Sequence, residues 1–125
     1  MHTVIETPAF LASARDEGIS DDERAAMISY VSRNPADGEI IPGTGGARKL
    51  RFAGRGKGKS GGYRIITFYA DADMPVFLLD VYSKDSQANL PKAERNELRV
   101  ILTDLPRAWR EAAAARMANG RRSRK

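Results

Sequence analysis

The amino-acid sequence predicts an α+β fold: a small, mostly antiparallel four-stranded sheet with two N-terminal helices and a C-terminal helix packed against it. Three observations carry that prediction. Two capped helix starts precede residue 34, three strand-like runs lie between residues 48 and 83, and a leucine-rich stripe at helical spacing begins after Pro91. With 125 residues, 42% hydrophobic and 30% charged, the chain suits one domain with one core, since domains mostly hold about 50 to 250 residues. It is too apolar for a disordered chain, and no apolar run is long enough to span a membrane.

Thr3-Val4-Ile5 opens the chain as a short strand. Thr7 is then an N-cap, with Pro8 at the first helical position, where its missing N–H leaves no helical bond unmade. That helix runs through Arg15. After a break at Gly18, Ser20 and Glu23 form a capping box before a second helix, whose Met27, Ile28 and Val31 make one apolar stripe; Asn34-Pro35 stops it. Residues 35–46, rich in Gly and Pro, read as a loop.

Strands follow at Arg48 to Ala53, Tyr63 to Tyr69 and Val76 to Ser83. In the first, Leu50 and Phe52 alternate with Lys49 and Arg51, giving one apolar and one cationic face. In the last, Val76 to Leu79 is apolar on both faces and belongs inside the sheet. Pro91 opens a helix bearing Leu98, Ile101, Leu102 and Leu105, which Pro106 should end or kink. The alanine-rich stretch through Met117 adds another helical piece, and Gly120 to Lys125 forms a mobile basic end. The expected organisation is a domain over 1–106 and a basic, helical or flexible extension over 107–125.

The net charge of +5 is unevenly distributed. Residues 1–39 hold 3 basic and 8 acidic side chains, and residues 71–106 hold 4 and 7. Residues 40–70 carry Arg48, Lys49, Arg51, Arg55, Lys57, Lys59 and Arg64 with no Asp or Glu, and residues 107–125 hold 7 basic groups against Glu111 alone. Two cationic segments on an acidic body favour an anionic partner such as nucleic acid. The absence of cysteine excludes disulfides, thiolate metal sites and a cysteine nucleophile. No signal-peptide pattern opens the chain, so the expected location is cytoplasmic.

The glycine-rich run from Gly54 to Gly62 is not a phosphate loop. A phosphate-loop match through Gly58-Lys59-Ser60 needs glycine where Ala53 stands, and the run leads into a strand, whereas such loops hold their anion at a helix N-terminus. The G-x-G-x-x-G spacing of Gly56, Gly58 and Gly61 lacks the same helix. Lys49, Arg51 and Arg64, on neighbouring strands, are a tighter constellation, able to converge on one phosphate. Tyr63, Tyr69 and Tyr82 lie on or near these strands, where rings can stack on a base, although core or rim positions are commoner for tyrosine. His2 is the only histidine, and no carboxylates cluster at a strand end. Paired-histidine and two-metal ribonuclease mechanisms are thereby excluded, leaving Lys, Arg and Tyr for any phosphoryl-transfer chemistry.

The stretches Ile41-Pro42-Gly43-Thr44-Gly45-Gly46-Ala47-Arg48-Lys49-Leu50-Arg51-Phe52 and Gly56-Lys57-Gly58-Lys59-Ser60-Gly61-Gly62-Tyr63-Arg64-Ile65-Ile66 closely resemble the RelE/HigB-type toxins of bacterial type II toxin–antitoxin systems, within the RelE/ParE superfamily. Val76 to Leu79, Val81 to Lys84, Asn89-Leu90 and Glu94-Arg95-Asn96 extend the likeness, as do Ile5 to Pro8 and Asn34-Pro35. It covers roughly residues 4 to 105.

The resemblance implies a microbial-ribonuclease-like fold and a ribosome-dependent mRNA endoribonuclease that inhibits translation. In that reaction a ribose 2′-hydroxyl attacks its adjacent phosphate and leaves a 2′,3′-cyclic end, with no metal or other cofactor required. It maps the catalytic cluster onto Lys49, Arg51, Arg64 and Lys84. Arg64 is implied to stabilise the charge of the phosphorane-like transition state, and Lys49 and Arg51 to bind phosphate. General-base work is implied for Lys49, a lysine among like charges being the physical route to a base without histidine; Arg51 stays protonated and acts electrostatically. Lys84 is implied to bind phosphate or to donate to the leaving 5′-oxygen.

Arg48, Arg55, Lys57, Lys59, Tyr63 and Tyr82 are the expected RNA contacts. Where some relatives carry a catalytic tyrosine, this chain has Leu90, and Tyr82 is the candidate to replace it in space. The implied partners are the ribosome with its mRNA and a helix-turn-helix antitoxin of the HigA kind, whose complex with the toxin binds operator DNA; no membrane is involved. The alternatives are a ParE-like inhibitor of DNA gyrase, which shares the fold but lacks the basic cluster, and a plain nucleic-acid-binding module.

Overall fold

The structure is a computed structural model that describes residues 2–54, 62–84, 87 and 89–123. Its elements are β1 (Val4–Glu6), α1 (Pro8–Asp16), α2 (Asp21–Arg33), β2 (Glu39–Ile40), β3 (Arg48–Phe52), β4 (Tyr63–Phe68), β5 (Val76–Ser83) and α3 (Lys92–Ser123). The strands form one sheet in the order β1-β5-β4-β3-β2. β1 runs parallel to β5 and the other pairs are antiparallel.

The two N-terminal helices start where their caps place them. The Thr7 hydroxyl accepts from the Phe10 N–H at 3.2 Å and donates to the Leu78 carbonyl at 2.7 Å, so one side chain caps α1 and ties it to β5. The Ser20 hydroxyl accepts from the Glu23 N–H at 3.1 Å, with the reciprocal Glu23 contact to the Ser20 N–H completing the capping box of α2.

The sheet has five strands rather than the expected four, because Glu39–Ile40 pairs with β3 inside the stretch that reads as a loop. A two-residue strand in a stretch bounded by Gly38 and Pro42 carries too little pattern to be signalled. Gly38 permits the pairing: its φ is +97°, and a Cβ there would stand 2.9 Å from the Lys49 carbonyl oxygen.

Apolar clusters lie on both faces of the sheet. On one, Phe10 of α1 and Met27 and Val31 of α2 pack against Leu50, Ile65 and Leu78. On the other, α3 brings Leu102 onto Ala47, Ile66, Phe68 and Phe77, with Leu90 and Tyr82 in the same cluster. A register shift between Ile66 and Thr67 pairs Ile66 with Asp80 but Thr67 with Leu78, leaving Leu79 as an extra residue on β5. This bulge is why Phe77 and Tyr82, an odd number of positions apart, share a face.

Pro106 does not end the helix, since α3 continues unbroken to Ser123. Leu105 on one side of the proline and Trp109 on the other both pack on the α3-side cluster, and the Trp109 ring meets Phe77 edge-on with centroids 5.5 Å apart. Packing on both sides outweighs the cost of an interior proline, about 3 kcal/mol from the lost helical hydrogen bond and the clash of its ring together. Residues 110–118 are exposed, and the first arginines of this region are already paired, Arg107 with Asp104 at 2.6 Å and Glu111 at 2.8 Å, and Arg110 with Asp71. Among the described residues no helix is long and apolar enough to cross a membrane.

Candidate nucleic-acid interface

Strand register brings three of the four proposed catalytic cations onto one face. Arg51 stands directly opposite Arg64 across β3 and β4, and Arg64 stands opposite Tyr82 across β4 and β5. Lys49, two residues from Arg51, shares that face by alternation. The site lies beside the α3-side apolar cluster, so the strand face read as cationic is also partly core. Lys84 follows β5 directly, and its N–H donates to the Gly62 carbonyl at 3.4 Å, which sets it at the edge where Tyr63-Arg64 begins.

Burial separates the cations. Arg64 is 5% exposed, whereas Arg51 and Lys84 are open to solvent and Lys49 is half-buried. The Lys49 Nζ reaches the Asn89 Oδ1 at 3.5 Å. Tyr82 is 3% exposed, and its hydroxyl is buried without a hydrogen-bond partner among the described residues. Burial pushes the Tyr82 hydroxyl above its ordinary pKa; Arg64 pulls the other way, and Asp80 and Glu94 add to the rise. Tyr82 therefore keeps its proton at neutral pH. Burial likewise raises the nearby Glu94 carboxyl, helped by the charges of Asp80 and Glu97.

Other expected contacts are placed elsewhere. Arg48 alternates with Lys49 onto the α1–α2 side, where its guanidinium donates to the Gly38 carbonyl at 3.3 Å. Tyr63 shares that side, packed against the cluster of Phe10 and Ile65, and its hydroxyl is raised by burial and then by Glu23 and Glu17. Alternation alone could have separated both from Arg64. Tyr69 lies past the far end of β4, with its hydroxyl 3.2 Å from the His2 Nε2. Leu90 is buried in the α3-side cluster. Arg55, Lys57 and Lys59 lie outside the described residues.

The Ile41 to Ala47 segment positions β3. Thr44 is fully buried; its hydroxyl donates to the Ile41 carbonyl at 2.7 Å and accepts from the Ala47 N–H at 3.0 Å. Gly45 has a φ of +79° and lies against Arg99 and Leu102 of α3, so this glycine-rich turn seats the helix beside the cationic face. Among the described residues no group of three or more His, Cys, Asp or Glu is placed to hold a metal ion. A face of fixed cations beside a protonated phenol is suited to binding a phosphodiester and stabilising added negative charge on it.

A family model described as "RelE toxin of RelE / RelB toxin-antitoxin system" matches residues 2–122. Among solved structures, a mutant of the E. coli toxin RelE in the free state is 15% identical, with a TM-score of 0.49 over 70% of this chain and 87% of that chain.

Proposed function

The chain belongs to the RelE toxin family, the toxin side of a toxin–antitoxin pair, and from that premise we propose that it is a ribosome-dependent endoribonuclease that cuts mRNA and so stops translation. The observation that carries the proposal is Arg64, a buried guanidinium set in register opposite Arg51. Like charges directly opposed across a sheet are destabilising, and an anion bound between them turns that repulsion into attraction.

In the proposed reaction the 2′-oxygen forms a bond to phosphorus as the bond to the 5′-oxygen breaks, leaving a 2′,3′-cyclic phosphate. Arg64 and Arg51 hold the phosphoryl oxygens and stabilise the extra charge of the five-coordinate transition state. Lys49, at the family's phosphate-binding and general-base position, takes the 2′-hydroxyl proton, and Lys84 supplies a proton to the departing 5′-oxygen. Tyr82, protonated beside Arg64, is a second proton source. Arg55, Lys57 and Lys59 contribute RNA contact on the strength of charge alone. The antitoxin, of the helix-turn-helix kind, covers the basic face, and the pair binds operator DNA.

The test is induced expression with mapping of mRNA 5′ ends. Growth arrest with in-frame cuts in translated messages, abolished by Arg64→Ala, is the expected result. Arrest with intact mRNA and damaged DNA would replace this reading with inhibition of DNA gyrase.

A further inference from the structure

The C-terminal helix outruns the domain it packs on. Its 32 residues extend about 48 Å at 1.5 Å per residue, and the last of its side chains in the core cluster is Trp109. Beyond the Arg110–Asp71 pair, residues 111–118 are all exposed. A helical end of this length gains little from its own backbone, since helices below about 12–15 residues are marginal in water unless one face is packed. Its sequence is Ala112-Ala113-Ala114-Ala115-Arg116, small side chains followed by a guanidinium with no partner among the described residues.

Beside the start of the same helix lies a groove of about 300 Å³ between α1 and α3. It opens because β1 pairs with β5 only as far as Leu78, so the outer edge of β5 from Leu79 onward has no strand beside it. Leu79, Leu98 and Ile101 give the groove an apolar lining, and Ile101 is 55% exposed. Asp80, Glu94 and Glu97 add three carboxylates, and no cation among the described residues pairs with Glu94 or Glu97. Burial and the charges of its two acidic neighbours raise the Glu94 carboxyl, so the groove is short of positive charge.

We infer that the groove receives the free end of α3 from a second copy of this chain, so that two copies pair through antiparallel α3 helices about a two-fold axis. The contact cannot form within one chain, because the groove wall and the free end belong to one unbroken helix and lie about five turns apart. Two antiparallel copies bring each end to the other's groove, and the two-fold makes the contact twice. Helical periodicity puts Glu94, Glu97 and Ile101 on one stripe with Ala108, Ala112 and Ala115. The stripe that walls the groove in one half of α3 is therefore made of small residues in the other, and alanine lets facing helices approach to the short end of the usual spacing of about 8–10 Å. With the axis near Leu105, Leu98 and Ile101 meet Ala112 and Ala108 of the second copy, and its Arg116 comes level with Glu94. The charges agree with this pairing: residues 71–106 hold 4 basic and 7 acidic side chains, and residues 107–125 hold 7 basic groups against Glu111 alone. Lys49, Arg51, Arg64 and Lys84 line no part of the groove, so the inference is independent of the nuclease reading.

The experiment is sedimentation equilibrium of the purified full-length chain over a concentration series reaching well above micromolar. A reversible monomer–dimer equilibrium is expected. Arg116→Glu and Glu94→Arg each reverse one exposed charge, and each should raise the dimer dissociation constant about tenfold, because the pair occurs twice per dimer. Combining the two substitutions puts opposite charges back at both ends and should return the constant to within about threefold of the wild type. That restoration separates a direct contact from damage to the fold, which a second substitution would only deepen. A chain that stays monomeric throughout the series overturns the inference and leaves the groove to a different partner. A dimer that neither single reversal weakens, or that the double reversal fails to restore, places the contact elsewhere and overturns it as well.

Discussion

Arg51 and Arg64 violate a rule that most strand pairs obey, since two guanidinium-bearing residues face each other in register with one of them nearly removed from water. A sheet selected for stability alone would put an apolar or oppositely charged residue at one of the two positions. Replacing the exposed member tests whether the arrangement is strained. Arg51→Gln is expected to raise the unfolding free energy by about 0.2 to 1 kcal/mol in chemical denaturation at low ionic strength, while lowering mRNA cleavage at least tenfold. A fall in both quantities would mark Arg51 as an ordinary structural residue. Leu90 shows the converse. At the position where some relatives carry a tyrosine, this chain places a buried aliphatic group, and the phenol opposite Arg64 in the β4–β5 register is Tyr82, held protonated chiefly by burial.

At the scale of elements, the glycine-rich connection and the strand after it set the position of Arg64. A Cβ on Gly62 would lie 2.2 Å from the Phe52 carbonyl oxygen and 2.9 Å from the Gly54 N. Both neighbours are backbone and cannot turn aside. Gly62→Ala is therefore expected to cost about 1–3 kcal/mol, the range for overpacking a filled site, and to separate β3 from β4 where Arg51 faces Arg64. Thermal unfolding and cleavage should fall together, and a variant with wild-type stability would show that the connection moves freely. The same scale explains how much was legible in the sequence. The starts of α1 and α2 were, because Thr7 and the Ser20–Glu23 box act within one turn. The cationic alternation of β3 was also legible, being local. The bulge at Leu79, the short strand at Glu39–Ile40 and the passage of α3 through Pro106 were not, because long-range packing decides each of them.

Across the whole molecule, the net charge of +5 divides into populations with different surroundings. The cations of the sheet face stand together on adjacent strands, whereas Arg107 and Arg110 on α3 are already engaged by Asp104, Glu111 and Asp71. The end of the chain adds a further basic group, Arg121, Arg122, Arg124 and Lys125. Counterion release tells these populations apart. Each phosphate neutralised on single-stranded RNA contributes a slope of about −0.7 to the dependence of log affinity on log salt. Contacts from Lys49, Arg51, Arg64 and Lys84 should give a slope near −3, and those proposed for Arg55, Lys57 and Lys59 about −2 more, for an RNA made uncleavable by 2′-deoxy substitution at the cut site. A chain shortened by residues 119–125 should keep that slope, and Arg51→Gln should reduce it by about 0.7. If the shortened chain instead loses most of the salt dependence, the terminal arginines carry the RNA contact, and the sheet face must then act on a phosphate delivered to it by the end of α3.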